Sequence, residues 1–104
     1  MVKDLRREIN KKIENCRQLL RPEKIINCLE QLLSAYNNPW VAYELGREYE
    51  KSGEKTKAFI CFDKAEDLFE DLNLKNMAQA AMNNLVIEEI IEGKTKKKKR
   101  KNSF

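Results

Sequence analysis

Apolar residues recur every three or four positions along most of this chain, which is the spacing of an α-helix. The first segment is a narrow apolar stripe with charged residues on its other sides, formed by Val2, Leu5, Ile9, Ile13, Cys16 and Leu20. A helix with one apolar face and a wet outer face is expected at the end of a helical stack. Leu20-Arg21-Pro22 ends it, because proline cannot continue a preceding helix but starts a new one well.

The second and third helices are bounded by proline, asparagine and glycine. The second runs from about Pro22 to Tyr36 and places its apolar side chains on one face: Ile25, Ile26, Leu29, Leu32 and Leu33. Asn38-Pro39 opens the third helix with a capping side chain and a residue that suits the first turn. Ser52-Gly53 ends it, since glycine readily takes the left-handed conformation that follows many helices.

The fourth and fifth helices complete the pattern. The fourth carries an apolar face formed by Ala58, Cys61, Phe62, Ala65, Leu68, Phe69 and Leu72. The fifth, capped by Asn73 or Asn76, runs to about Glu92 with an inward stripe of Ala78, Ala81, Met82 and Leu85. Ile87 and Ile91 lie on its opposite side, where a further helix or another molecule would have to cover them. The expected fold class is therefore all-α, with five helices.

The spacing Leu45-Gly46-x2-Tyr49-x3-Gly53-x4-Ala58-x3-Phe62-x2-Ala65 resembles one nearly complete tetratricopeptide repeat. This family's unit is a helix-turn-helix of about 34 residues, whose small and large positions let two helices pack closely and stack on the next pair. The match covers residues 39–72, with Ala42 where the family often has Trp and Glu70 where it often has Pro. The resemblance implies a right-handed stack of antiparallel helix pairs, about two and a half units long, that serves as a binding scaffold.

Trp40, Tyr43 and Arg47 recur on the side of the third helix that faces away from its apolar stripe. In the resembled family these positions line the concave groove that holds an extended peptide, and aromatic residues and arginine often dominate binding energies. The alternative is that Trp40 and Tyr43 pack on Leu33 and Tyr36 of the preceding helix. Tyr43 and Arg47 replace the Lys and Asn of the family's carboxylate clamps, so no terminal-carboxylate ligand is implied.

The chain changes character after Gly93, where seven of the next eight residues are basic: Lys94, Lys96, Lys97, Lys98, Lys99, Arg100 and Lys101. Such a segment repels itself and buries nothing, so residues 94–104 are expected to form a disordered tail beside a helical domain of residues 1–93. Without these seven charges the body has 14 basic and 17 acidic residues, whereas the whole chain is +4. The tail suits contact with nucleic acid, a ribosome or an acidic protein surface, and its run of residues 97–101 resembles a nuclear localisation signal. The alternative is a tail that only keeps the protein in solution.

The sequence carries no catalytic pattern. It has no histidine, which excludes Ser-His and Cys-His nucleophile pairs and histidine general bases within one chain. Its three glycines are separate, so no Gly-rich phosphate loop exists. The acidic residues between Asp63 and Asp71 favour a solvated helix face over a metal site. We therefore expect no enzymatic activity, no cofactor and no metal.

Cys16, Cys28 and Cys61 share no Cys-x-x-Cys spacing, and each falls at an apolar position of a predicted helix. They are expected to be small, buried, reduced side chains. The sequence shows neither an apolar run of about 18 residues that would span a bilayer nor the apolar region of a signal peptide. These observations predict a cytoplasmic protein, or a nuclear one in a eukaryote.

Together these features predict a small non-enzymatic adaptor that binds a peptide or a helix through its concave face or its last helix. The alternative is an accessory protein of nucleic acid or the ribosome that uses the basic tail. A homodimer is also predicted, because Ile87, Ile90 and Ile91 lie at the open end of the stack and two-fold symmetry is the commonest way to close such a surface.

Overall fold

The helix ends follow from the residues that interrupt the apolar pattern. The computed structural model describes the backbone of residues 2–102 and the side chains of residues 6–90. Within this range the chain forms five helices and no strand: α1 Val2–Arg17, α2 Pro22–Tyr36, α3 Pro39–Lys51, α4 Lys55–Leu68 and α5 Leu72–Asn102. This confirms the all-α fold class.

Proline, asparagine and glycine act at the ends of α2 and α3 as the sequence predicts. The side chain of Asn38 accepts a hydrogen bond of 2.9 Å from the backbone N–H of Trp40, which caps α3. After α2 the chain turns through Asn37, which has a φ of 50°, and after α3 it turns through Gly53, which has a φ of 81°. Both residues are types that tolerate this left-handed conformation.

Three boundary expectations are wrong. Helix α1 ends at Arg17, so Leu20 leaves the apolar stripe and is 97% exposed. Helix α4 ends at Leu68, and Leu72 begins α5 with 69% exposure instead of joining the buried face of α4. The first turn of α5 is capped by Asp71, whose carboxylate accepts the N–H groups of Asn73 and Leu74, so neither proposed asparagine is the cap. A periodic apolar pattern continues through a turn without marking where the helix stops.

Each helix packs against the next one along the chain, and α1 also contacts α3. One continuous core extends from Ile9 in α1, through Leu29 in α2, to Leu85 in α5. A smaller cluster lies at the other end of the α3–α4 pair and consists of Ala42, Ala65, Phe69 and Ala78. The molecule is therefore a stack of consecutive helices.

Helices α3 and α4 approach each other closely at Gly46. A Cβ atom at Gly46 would lie 2.7 Å from Cε1 and 2.8 Å from Cδ1 of Phe62. The Phe62 ring is fully buried, so it has little room to move away. Glycine is thus required here by the contact with the ring and not by a turn.

Helix α1 is fastened to the stack by a covalent and an ionic contact. Cys16 and Cys28 form a disulfide between α1 and α2, with their Cα atoms 5.6 Å apart. The expectation that all three cysteines are free thiols is therefore wrong for these two and holds for Cys61. The next residue, Arg17, forms ion pairs with Glu44 and, at 3.2 Å, with Glu48 of α3.

Helix α5 continues to Asn102, beyond the end expected at about Glu92. The side chains of residues 94–104 are not described, so the disordered tail stays a prediction. Among the described residues, no helix is both long enough and apolar enough to cross a membrane.

We predict that Gly46→Ala lowers the free energy of unfolding. Crowding in a packed core costs about 1–3 kcal/mol, while alanine recovers up to about 1 kcal/mol of helix propensity, so a net loss of up to about 2 kcal/mol is expected. Urea unfolding followed by circular dichroism measures this loss. The double variant with Phe62→Leu should lose less than the sum of the two single variants, because the smaller side chain relieves the contact. Additive losses would contradict this explanation.

Candidate binding clefts

A small cleft of about 270 Å³ lies between α3 and α5. We call it the α3–α5 cleft. Its α3 wall consists of Tyr43, Arg47 and Glu50, Phe62 lies beneath, and its α5 wall consists of Met77, Ala80, Ala81 and Asn84. Two of the three residues that the sequence predicts to bind a peptide therefore line one cleft.

Trp40, the third predicted residue, has a packing role. Its ring stands edge-on to Phe69 with ring centres 5.1 Å apart, and it is not among the residues that line the α3–α5 cleft. Tyr43 packs on Phe62 at 5.3 Å and also faces the cleft. The ring contacts are thus made with Phe69, which directly follows α4, and with Phe62 in the middle of α4. Of the packing alternative, Leu33 packs against the same clusters as Trp40 and Tyr43, whereas neither ring contacts Tyr36 among the described ring pairs. A substitution of Trp40 would disturb the α3–α4 pair as well as any binding surface.

Arg47 is the most available group of the α3–α5 cleft. Its side chain is exposed, and it forms no hydrogen bond or salt bridge with another described residue. Asn84 and Glu50 add polar groups to the rim, while Ala80 and Ala81 leave space opposite the arginine. The arrangement can accept a peptide segment that offers a hydrogen-bond acceptor to Arg47.

A larger groove of about 620 Å³ lies between α2 and α4, with α3 as its floor. We call it the α2–α4 groove. The α2 side contributes Glu30, Leu33, Ser34 and Asn37; the floor contributes Leu45 and Tyr49; and α4 contributes Lys57, Ile60, Cys61 and Lys64. Its volume falls in the range of ordinary ligand sites.

Tyr49 connects the floor of the α2–α4 groove to α2. Its hydroxyl donates a hydrogen bond to the carboxylate of Glu30, and the ammonium of Lys57 lies 5.6 Å from the centre of its ring. Burial, followed by the hydrogen bond and the negative charge of Glu30, raises the pKa of Tyr49 well above its usual range. The phenol therefore stays neutral and remains a donor to Glu30 at physiological pH.

Sequence reasoning missed the α2–α4 groove. Lys57, Ile60 and Lys64 are spaced three and four residues apart, which places them along one side of α4. Ile60 is 62% exposed although the apolar pattern surrounds it. An exposed apolar residue between two lysines on one helix face could have indicated a binding surface on α4. The opposite wall comes from α2, which does not directly precede α4 in the sequence, so the groove itself could not be predicted.

The middle of α5 exposes an apolar arc. Val86 is 44% exposed, and Ile87 and Ile90 are each 53% exposed. These three residues fall within about 100° of the helix surface, so they form one continuous patch. The structure thus shows the exposure that the homodimer prediction requires for Ile87 and Ile90, whereas the side chain of Ile91 lies outside the described residues.

Two groups of charged residues, one acidic and one basic, do not identify a ligand. Carboxylate oxygens of Asp63, Glu66 and Asp67 lie within 4.8 Å of one another on the outer side of α4, a clustering that exposed acidic residues often show without an ion. The basic residues from Lys94 to Lys101 lie outside the described side chains, so their contact with nucleic acid or an acidic partner stays a prediction.

Comparisons with protein-family models, with curated proteins and with solved structures found no match for this chain. The tetratricopeptide resemblance therefore stays a prediction that depends on residues 39–72. Function has to be argued from the two clefts and the exposed arc of α5.

We predict that Cys61 resists alkylation in the native protein. Burial, reinforced by the carboxylate of Glu30, raises the pKa of its thiol from the ordinary 9.0 to about 11. At pH 8 the thiolate fraction is then about a hundredfold lower than that of an ordinary cysteine. Mass spectrometry after iodoacetamide treatment should show alkylation at least about a hundredfold slower than in an unstructured cysteine peptide.

The same alkylation should reach the peptide's rate in urea, where Cys61 is exposed. Because the folded state favours the neutral thiol, its contribution to stability is fully present below pH 9.0 and is lost as the pH rises through about 11. Alkylation of the native protein at the peptide's rate would contradict the burial of this thiol.

Proposed function

We propose that this protein is a small, non-enzymatic protein-interaction adaptor of the tetratricopeptide type that binds a peptide or helix at the α3–α5 cleft. The observation that carries the proposal is the exposed Arg47 without a described partner, placed beside Tyr43 and opposite the small side chains of Ala80 and Ala81. Arginine and tyrosine are among the residues that most often supply binding energy at protein interfaces.

The form of the α3–α5 cleft supports a peptide ligand. The α5 wall is low because two alanines lie where larger side chains would close the space. A bound segment would bury part of Tyr43 and Met77 while its acceptor groups face Arg47 and Asn84. Burial of an aromatic surface beside a charged hydrogen bond combines the two sources of affinity that compact interfaces use.

A non-enzymatic role agrees with the available chemistry. The sequence has no histidine, and the free thiol of Cys61 is buried with a raised pKa, which makes it a poor nucleophile.

A cytoplasmic location stays part of the proposal. It draws no support from the Cys16–Cys28 disulfide, because disulfides persist mainly in oxidising compartments.

We predict that Arg47→Glu abolishes partner capture without unfolding the protein. If Arg47 is an anchor, its reversal should cost about 2 kcal/mol or more, which is roughly a thirtyfold loss of affinity. Pull-down from source-cell extract followed by mass spectrometry measures capture, and circular dichroism checks the fold. Lys24→Glu is the matched control, since it reverses an exposed charge on α2 outside both clefts.

A photo-crosslinking residue at position 80 tests the location of the bound segment. It should cross-link the partner that wild type and Lys24→Glu retain and that Arg47→Glu loses. Equal capture by all three proteins, or no cross-link from position 80, would refute binding at the α3–α5 cleft.

We also propose that the exposed arc of α5 mediates self-association. Covering Val86, Ile87 and Ile90 would gain up to about 1.5–3 kcal/mol for each side chain that becomes fully buried. Ile87→Glu with Ile90→Glu should therefore give a helical monomer under conditions in which wild type forms a dimer.

Light scattering across concentrations up to about 100 μM measures this equilibrium, which depends on mass action. Asn10→Glu with Asn27→Glu is the control, because it adds the same charge to exposed positions of α1 and α2, away from α5. A wild-type protein that stays monomeric over this range would eliminate the homodimer.

A further inference from the structure

The α2–α4 groove has walls of opposite charge on either side of an apolar floor. Its α2 wall carries the carboxylate of Glu30, and its α4 wall carries the ammonium groups of Lys57 and Lys64. Leu33 adds an apolar side chain to the α2 wall, Leu45 lies in the floor, and Ile60 on α4 has more than half of its surface exposed. The groove thus offers a hydrophobic contact surface between a negatively charged wall and a positively charged wall.

The charged groups of the groove differ in the contacts that they make within the protein. Glu30 accepts the hydrogen bond from Tyr49. Lys57 lies 3.4 Å from Glu54, in an exposed pair between neighbouring turns that contributes little. Lys64 forms no hydrogen bond or salt bridge with another described residue. The α4 wall therefore keeps positive charge for a ligand, while the α2 wall repels a ligand's carboxylates.

The spacing of the two lysines matches one kind of ligand. They are seven residues apart on α4, which corresponds to about 10 Å along the helix axis. Two carboxylates seven residues apart on another helix have the same separation. A helix also satisfies its own backbone hydrogen bonds, so it can lie on an apolar floor without leaving peptide groups unpaired.

We propose that the α2–α4 groove binds an acidic amphipathic helix of a partner protein. Apolar side chains of that helix contact Leu33, Leu45 and Ile60, and two carboxylates seven residues apart pair with Lys57 and Lys64. Glu30 fixes the orientation, because it favours a neutral or basic edge of the helix on the α2 side. This surface lies apart from the α3–α5 cleft, and the inference does not depend on peptide binding there.

A second copy of this chain fits the groove less well than such a partner. The exposed arc of α5 is apolar, but its carboxylates, Glu88 and Glu89, are adjacent in sequence and are not seven residues apart. Glu88 also lies 3.9 Å from Lys55 of its own chain. The arc therefore supplies apolar contacts without the charge spacing that the two lysines select.

The test uses two synthetic helical peptides of about 20 residues, a length that allows helix formation in water. One carries a leucine face flanked by two glutamates seven residues apart, and the other has glutamine at those two positions. Each is titrated into the isotope-labelled full chain, and NMR shift changes give both affinity and location. The proteins are wild type, Lys57→Glu with Lys64→Glu, and the matched control Lys11→Glu with Lys24→Glu.

Wild type and the control should bind the glutamate peptide about fivefold more tightly than the glutamine peptide, because two exposed ion pairs contribute modestly. The difference should shrink at high salt and should reverse for Lys57→Glu with Lys64→Glu, because the peptide's glutamates then face like charges. Shift changes should centre on residues of α2 and α4, and Ile60→Ser should weaken binding of both peptides.

Three results would overturn the inference: equal affinities of wild type for the two peptides, shift changes confined to the α3–α5 cleft, or equal discrimination by the Lys57/Lys64 variant. The location of the shift changes separates a failure at this groove from a failure at the α3–α5 cleft.

Discussion

The close approach of α3 and α4 at Gly46 and Phe62 is the constraint on which the rest of the structure depends. Because no Cβ separates the helices there, the Phe62 ring fills the space between them and also supports Tyr43 on the far side. Tyr49, one turn after Gly46, then reaches α2 through Glu30. The α3–α5 cleft and the α2–α4 groove therefore share one element, α3, whose packing on α4 requires this glycine–aromatic contact.

The α1 end of the stack is held by a disulfide and by ion pairs in addition to its apolar contacts. Helix α1 has only a narrow apolar stripe, so hydrophobic burial alone fastens it weakly. The disulfide from Cys16 and the ion pairs of Arg17 act at adjacent residues of its last turn. Glu48 is buried, and it receives both Arg17 and, at 3.3 Å, Lys51. Two cations around one carboxylate offset the desolvation that a lone buried charge would suffer.

The sequence was sufficient where local chemistry decides the structure. Proline at the first turns of α2 and α3 and the Asn38 cap fix those helices, and the small residue at Gly46 indicates close packing of a helix pair. The sequence was insufficient where a contact or a cleft depends on the distance between separate helices. The Cys16–Cys28 disulfide and the α2–α4 groove arise from how α1, α2 and α4 sit around α3, and helical periodicity carries no such distance. Of the predicted binding residues, Arg47 and Tyr43 share a cleft, whereas Trp40 packs on Phe69.

The charged residues proposed to bind and the aromatic residues that pack the interior differ in exposure in this stack. Phe62 and Trp40 contact other rings. A substitution at either residue would therefore disturb the packing of the fold, and a loss of binding in that variant would not report on the interface alone. Arg47 and Lys64 are exposed and have no hydrogen-bond or salt-bridge partner among the described residues. Charge reversal at such positions alters what the surface attracts while the interior stays packed, since exposed charges contribute little to folding. Loss of binding in a variant that still folds therefore reports on the surface itself.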